Sequence, residues 1–149
     1  MTWGRSKALL LAALLPGLLA GAEPGSPAGR WRTYDDRTGA LHGLVEVTEE
    51  HGELRGRILK SYDPAKPNPT CDSCEGERKG KPVLGMVFLW GLTRKGDEFA
   101  GGSILDPDNG KVYRARLRLD DQGRKLRVRG FIGISLLGRT QVWIRDEGP

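Results

Sequence analysis

Cys71 and Cys74, the chain's two cysteines, stand in Pro-Thr-Cys-Asp-Ser-Cys-Glu-Gly. A C-x-x-C pair can act as a redox couple, as half of a zinc site, or as a local disulfide. A redox couple uses the first turn of a helix, whose dipole lowers a thiol pKa. Pro64, Pro67 and Pro69 before the pair, with Gly76 and Gly80 after it, leave little room for such a helix. Zinc needs four ligands, and the two histidines, His42 and His51, offer no ligand spacing. A disulfide across a four-residue turn is the expected outcome in an oxidising compartment. Its closed loop is so short that it contributes only about 2 kcal/mol. It stiffens one long segment, Asp63 to Pro82, which is expected to lie across the fold or its mouth.

The remaining polar residues form no catalytic constellation. His51 reads as a turn residue between Glu50 and Gly52, and His42 sits within a strand pattern. G-x-S-x-G and H-E-x-x-H do not occur. "GERKGK" from Gly76 is one residue short of a P-loop, and Pro82 stands where a magnesium-binding Ser or Thr would be needed. "DPDNG" from Asp106 begins like a calcium loop, but its twelfth position is Leu117 rather than a bidentate Glu. It reads as a hairpin turn. No catalytic residue, metal site or cofactor is implied.

A third feature is charge. Tyr113, Ala115, Leu117 and Leu119 alternate with Arg114, Arg116 and Arg118, and Leu126, Val128 and Gly130 alternate with Lys125, Arg127 and Arg129. Paired as a hairpin around Asp120–Gly123, these segments put all the cations on one outward face. The expected register sets Arg118 opposite Lys125, Arg116 opposite Arg127 and Arg114 opposite Arg129. Like charges directly opposite are unfavourable, so something must offset them. Acidic neighbours such as Glu98, Asp120 and Asp121 would do so. The alternative is an anionic partner: envelope glycolipid, phospholipid head groups or an acidic protein. Export, argued next, speaks against nucleic acid.

The first 22 residues read as a signal peptide. Arg5 and Lys7 precede an apolar run from Ala8 to Leu15, and Pro16 and Gly17 lead to Ala20-Gly21-Ala22. The run is too short to span a membrane. Ala22 stands where a lipoprotein would carry its acylated cysteine. The expectation is a soluble exported protein, periplasmic or secreted, with cleavage after Ala22 and no membrane span in the mature chain. Residues 23–29, "EPGSPAG", read as a flexible tether. Residues 30–149 are long enough for one domain with one core.

That domain reads as eight short strands: Arg30–Asp35, Leu41–Thr48, Glu53–Tyr62, Val83–Thr93, Glu98–Leu105, Lys111–Leu119, Lys125–Ile132 and Thr140–Arg145. Gly, Asn and Asp punctuate them, and no helical period competes. Short sequential connections predict an all-β, antiparallel up-and-down barrel, with a two-sheet sandwich as the alternative. The fourth strand, with "VLGMVFLWGL", is apolar on both faces. Either a loop or terminus covers its outer side, with Gly85 and Gly91 allowing close backbone approach, or part of it, Phe88 and Trp90, lines an apolar pocket or an exposed patch that meets a partner. Met86 and Phe131 join these two as candidates for an apolar ligand contact or the core.

With these residues in view, the chain resembles the small exported bacterial proteins of domain-of-unknown-function family 2147. The matching pieces are Trp31 with Asp35, Thr38 and Gly39; the C-x-x-C followed by "GERKGKPVLG"; Trp90-Gly91-Leu92; "GGSILDPDNGKVYR" from Gly101; and "RGFIGISLLGRTQVWIR" from Arg129. The resemblance spans the mature chain, carries no catalytic residue, and implies a lipocalin-like (calycin) barrel. In such barrels a first-strand Trp, here Trp31 in Gly29-Arg30-Trp31, is covered by a late Arg, here Arg139 or Arg145, closing one end. The expected function is non-enzymatic binding of a small apolar or amphipathic ligand such as a lipid, or of an envelope component. The alternatives are a structural or protein-interaction module, and a thiol redox or metal role for the cysteine pair. Oligomeric state is not encoded in any feature named here.

Overall fold

The structure is a computed structural model that describes residues 25–134 and 136–148. The signal-peptide reading of residues 1–22 lies outside the described residues. Eight antiparallel strands close into a barrel in sequence order: β1 Gly29–Tyr34, β2 Leu41–Glu50, β3 Glu53–Ser61, β4 Val87–Lys95, β5 Glu98–Leu105, β6 Val112–Asp120, β7 Lys125–Phe131 and β8 Gly138–Arg145. β1 pairs with β8 through Trp31–Arg145 and Arg32–Ile144, which leaves no open sheet edge. The expected order of eight strands stands, and the sandwich is excluded.

The topology gives the barrel two unlike ends. The tight turns at His51–Gly52, Gly96–Asp97 and Asp121–Gly123 share one end with the start of β1. The longer β1–β2, β3–β4, β5–β6 and β7–β8 connections share the other, here called the mouth. Turn chemistry fits each site: His51, Asp121 and Gln122 take positive φ, as do Gly52, Gly96 and Gly123.

The interior is filled. Trp31, Leu54, Leu92, Leu117, Leu126 and Trp143 are fully buried in one cluster, and the Phe88 and Trp143 rings meet at 5.9 Å. Burying each such side chain stabilises the fold by about 1.5–3 kcal/mol. The alternation that puts them inside comes directly from the period of two along each strand. One break is functional for packing: Gly56 pairs with Leu89 and Arg57 with Val87, so Phe88 sits in a bulge and both Phe88 and Leu89 are buried.

Two sequence readings need correction here. β4 starts at Val87, not Val83, because Val83 to Met86 belong to the end of the preceding long loop. The β6–β7 register is displaced by two residues, with Asp120 opposite Lys125, Arg118 opposite Arg127, Arg116 opposite Arg129 and Arg114 opposite Phe131. The displacement keeps every side chain on its expected face, as a period of two requires. The turn keeps its length but moves one residue along the chain, because Asp120 is still in the strand and pairs with Lys125.

The N-terminal segment also differs from a tether. Pro27 is fully buried, and its carbonyl accepts a 2.9 Å hydrogen bond from Trp31 Nε1. From Ser26 onward this segment packs into the narrow end of the barrel rather than leading up to it.

Candidate functional site

The cysteine loop is the most structured part of the mouth. Cys71 and Cys74 form a disulfide, and both sulfur-bearing residues are buried, at 0% and 2% exposure. Backbone bonds fold the loop on itself: Cys71 N donates to Lys81 O, Gly80 N to Cys71 O, and Val83 N to Pro69 O. A single 3₁₀ turn, Gly76–Arg78, follows the cystine. A disulfide placed here is a staple, and its burial keeps it from exchange partners.

The stapled loop docks on the β5–β6 hairpin. That hairpin's turn is tied by Gly110 N to Asp106 O and by Asp108 N to the Asp106 carboxylate, both hydrogen bonds, so "DPDNG" is a turn and not a cation loop. Gly110 lies so close to Ser73 and Cys74 that a Cβ there would collide with backbone. Cys71 Sγ approaches Pro107 O at 3.6 Å.

Between the loop and the hairpin lies a half-open cleft of about 440 Å³. Leu105, Val112 and Ile132 give it an apolar floor; Arg78 and Lys111 bring positive charge, and Glu75 and Cys74 complete the wall. Val112 and Ile132 are exposed aliphatics beside these cations. Such a surface can hold an alkyl chain and an anionic head at once.

At another part of the mouth a polar chain runs inward. Arg139 Nε lies 3.0 Å from Asp36 Oδ2, Gln141 Nε2 donates to the same oxygen at 3.1 Å, and Trp143 Nε1 donates to Gln141 Oε1 at 3.2 Å. It links the rim to a buried indole. In the adjoining turn, Asp35 Oδ1 accepts from Thr38 N, Thr38 Oγ1 and Arg37 N, and these bonds hold its carboxyl below the ordinary aspartate range.

The residues singled out from sequence fall in several places. Phe88 belongs to the packed core, and Met86 packs against it partly buried. Trp90 is on the outer side of β4, where the Arg78 guanidinium lies 4.7 Å from its ring centre. A loop thus covers the outer side of β4, the plainer of the two readings of that strand. Close backbone approach occurs at Gly91 and Gly102, where a Cβ on Gly102 would strike the Trp90 carbonyl; Gly85 meets nothing. Phe131 is a correction: it pairs with Arg114 on the outer face and is buried beneath Arg114 and Arg116, each 5.7 Å from its ring. It lines no interior pocket.

The outward cations are largely met by carboxylates. Arg116 pairs with Glu98 at 3.6 Å, Arg118 with Asp97 at 3.2 Å, Lys125 with Asp121 at 3.5 Å and Arg127 with Asp120 at 2.7 Å, while Arg129 donates to Thr140 Oγ1. Arg124, next to Asp121 at the turn, holds that carboxyl below its usual range. Acidic neighbours therefore offset Arg116, Arg118, Lys125 and Arg127 without a partner, whereas Arg114 lies over the Phe131 ring.

At the narrow end, Arg145 rather than Arg139 covers Trp31, with its guanidinium 4.2 Å from the ring centre. Arg139 is at the mouth because it opens β8, whereas Arg145 ends it. His42 and His51 are both exposed, and no cluster of three His, Cys, Asp or Glu suited to a metal occurs among the described residues. Sequence reasoning missed Arg78, Lys111, Val112 and Ile132 as neighbours, because a cleft formed where three connections meet leaves no periodic signal.

A family model described as "Uncharacterized protein conserved in bacteria (DUF2147)" matches residues 29–145. The chain belongs to that family. The match runs from the glycine of the Gly29-Arg30-Trp31 motif to Arg145, the two residues that meet at the closed end. Among solved structures, one described as "Protein HP1028 from the human pathogen Helicobacter pylori belongs to the lipocalin family" aligns at a TM-score of 0.71 and 20% identity, over 82% of this chain and 84% of that one. That similarity shows a lipocalin-like fold. No curated protein matches the sequence closely enough to lend it an activity. The closed topology and this neighbour establish the barrel, and DUF2147 membership itself carries no activity.

Proposed function

We propose that this protein is an exported, non-enzymatic barrel that binds a small amphipathic molecule with an anionic head group at its mouth. The observation that supports it is the cleft where Leu105, Val112 and Ile132 adjoin Arg78 and Lys111. The packed interior argues against an apolar ligand deep in the barrel, where Trp31 and Trp143 occupy the space. The rim cleft keeps the two properties that such a ligand needs: aliphatic surface already half in water, and cations within the same wall. The absence of a nucleophile–base pair in the sequence fits binding rather than turnover.

The test compares dodecanoate with dodecyltrimethylammonium by calorimetry. Dodecanoate should bind with an affinity that falls about tenfold in Lys111→Glu, and the cationic amphiphile should not bind. Equal binding of both heads, or of neither, sinks the reading. In the second case the filled interior favours a structural or protein-interaction module of the envelope.

A further inference from the structure

The β7–β8 connection is the least polar exposed surface of the described molecule. Leu136 is 82% exposed, Leu137 67%, Ile134 60% and Ile132 58%. Four aliphatic side chains stand in water on one short loop at the mouth. Burying them elsewhere would be favourable, so their exposure in the isolated chain points to a surface that receives them.

Three features of the loop decide which surface. Its side chains are aliphatic, with no Trp, Tyr or Arg among them, whereas protein contacts draw their energy from such anchors. A stable protein interface also needs about 800 Å² from each partner, more than a single loop tip presents. Its backbone is tied internally, with Ile132 N donating to Leu137 O and Leu137 N to Ile134 O. Those two amides are already paired, which lowers the cost of bringing them out of water toward hydrocarbon.

Charge supplies the third feature. The strand segments nearest the loop, Val112–Arg116, Arg127–Phe131 and Gly138–Val142, carry arginines and no acidic residue. Arg114 lies over Phe131 at the loop's base, and Lys111 and Arg78 flank Ile132 across the cleft. Arg139 is neutralised in part by Asp36 at 3.0 Å, and Glu75 lines the cleft, so Arg114, Lys111 and Arg78 carry the surplus. Among the described residues these three make no ion pair within 4 Å. Apolar tips with these three cations beside them match a membrane whose surface is negative, while the carboxylates of the mouth lie on the other connections, such as Asp36 on β1–β2 and Asp106 on β5–β6.

We propose that the β7–β8 loop inserts Ile134, Leu136 and Leu137 into an anionic phospholipid bilayer, with Lys111, Arg78 and Arg114 against the head groups. The barrel then sits mouth-down on the membrane. This contact does not require the cleft to hold a ligand, and of the outward β6–β7 ribbon it uses only Arg114, at the mouth end, and not the carboxylate-paired Arg116, Arg118, Lys125 and Arg127.

The test uses the full-length protein as its host processes it, sedimented with vesicles of phosphatidylethanolamine and phosphatidylglycerol. Wild type should sediment with them, and with phosphatidylcholine vesicles far less. Leu136→Ser/Leu137→Ser, at exposed positions that leave the fold intact, should weaken binding by about tenfold or more. Lys111→Glu should weaken it severalfold and flatten its salt dependence. A Leu136→Trp variant should shift its emission to the blue on vesicles and be quenched by brominated acyl chains beyond the wild-type background. The proposal is overturned if wild type stays in solution. It is also overturned if the double serine variant binds vesicles as well as wild type. Conversion of a wild-type dimer into a monomer by that variant, without a change in vesicle binding, would assign the loop to a second copy of the chain instead.

Discussion

The guanidinium of Arg145 lies 4.2 Å from the centre of the Trp31 ring, across the seam where β8 meets β1. It is held there by three carbonyls: Nε donates to Gly123 O at 2.7 Å, Nη1 to Ala28 O at 2.9 Å and Nη2 to Ser26 O at 3.1 Å. Among the described residues no carboxylate pairs with it, and burial lowers its pKa from the ordinary arginine value, with Glu147 opposing in part. One side chain therefore ties the first strand, the N-terminal segment and the β6–β7 turn.

Arg145→Ala should destabilise the barrel by about 2–4 kcal/mol, since it removes the stacking and leaves three partly buried carbonyls to find new partners. Arg145→Lys should recover only part of this, because an ammonium lacks the planar fork that reaches all three. Gly29→Ala should act on the same knot. Its Cβ would sit 2.6 Å from Arg145 Nη1, at a φ of +136° that favours glycine. Urea unfolding should show a lower midpoint with an unchanged slope in each case. Midpoints within error of wild type would mean that the end is not closed by this contact.

The outward ribbon should be inert to its own neutralisation. Arg118→Ala, which loses Asp97 at 3.2 Å, and Arg127→Ala, which loses Asp120, should each change stability by less than about 1 kcal/mol. Neither should change vesicle binding at low salt, in contrast to Lys111→Glu. A tenfold loss in Arg118→Ala would return the ribbon to the list of contact surfaces.

Much of this was legible along the chain, and what was not has a physical reason. The alternation at Tyr113 to Leu119 could be read from sequence because a two-residue period survives any even slip of register. The two-residue displacement itself could not, because it preserves every face. The calycin resemblance carried by Gly29-Arg30-Trp31 implied a closed end, but whether Arg139 or Arg145 covered the indole depended on where β8 begins and ends. The disulfide followed from spacing and the missing helix. The cleft did not, since Arg78, Lys111 and Ile132 come from three connections whose meeting is decided by the fold. The apolar "GFIGISLLG" from the end of β7 to the start of β8 was a visible signal: five large apolar residues that, like "VLGMVFLWGL" around β4, break the alternation.

Acid should loosen the β1–β2 turn first on the polar side of the mouth. The three bonds that Asp35 accepts from Thr38 and Arg37 stabilise its charged form, so its folded pKa lies below the unfolded value of about 3.9. The sign follows: this contribution is complete above the unfolded value and is lost as pH falls through the folded one. NMR titration should find the Asp35 carboxyl below the ordinary range, with Thr38→Ala raising it back. Asp35→Asn should remove its share of the acid limb of stability. An Asp35 that titrates near 3.9 would show that the turn does not hold its carboxylate as described.

The cystine should shape the mouth without holding the barrel. Cys71→Ala/Cys74→Ala removes a crosslink that closes a very short loop, so the loss of global stability should be about 2 kcal/mol, and the barrel should stay folded. The effect should concentrate in residues 69–83, where amide exchange should quicken because Cys71 N to Lys81 O and Val83 N to Pro69 O no longer close around a fixed turn. Gly110→Ala attacks the same docking from the hairpin side, with its Cβ directed into Ser73 and Cys74 at a φ of +72°. Both variants should weaken dodecanoate binding, the cystine variant by loosening Arg78 and Glu75, and the hairpin variant by forcing the walls apart. Neither should change the exchange of β6 and β7 amides deep in the barrel. If Gly110→Ala instead unfolds the whole chain at the same midpoint shift as Arg145→Ala, the loop and hairpin are part of the core, and the mouth has no separable binding element.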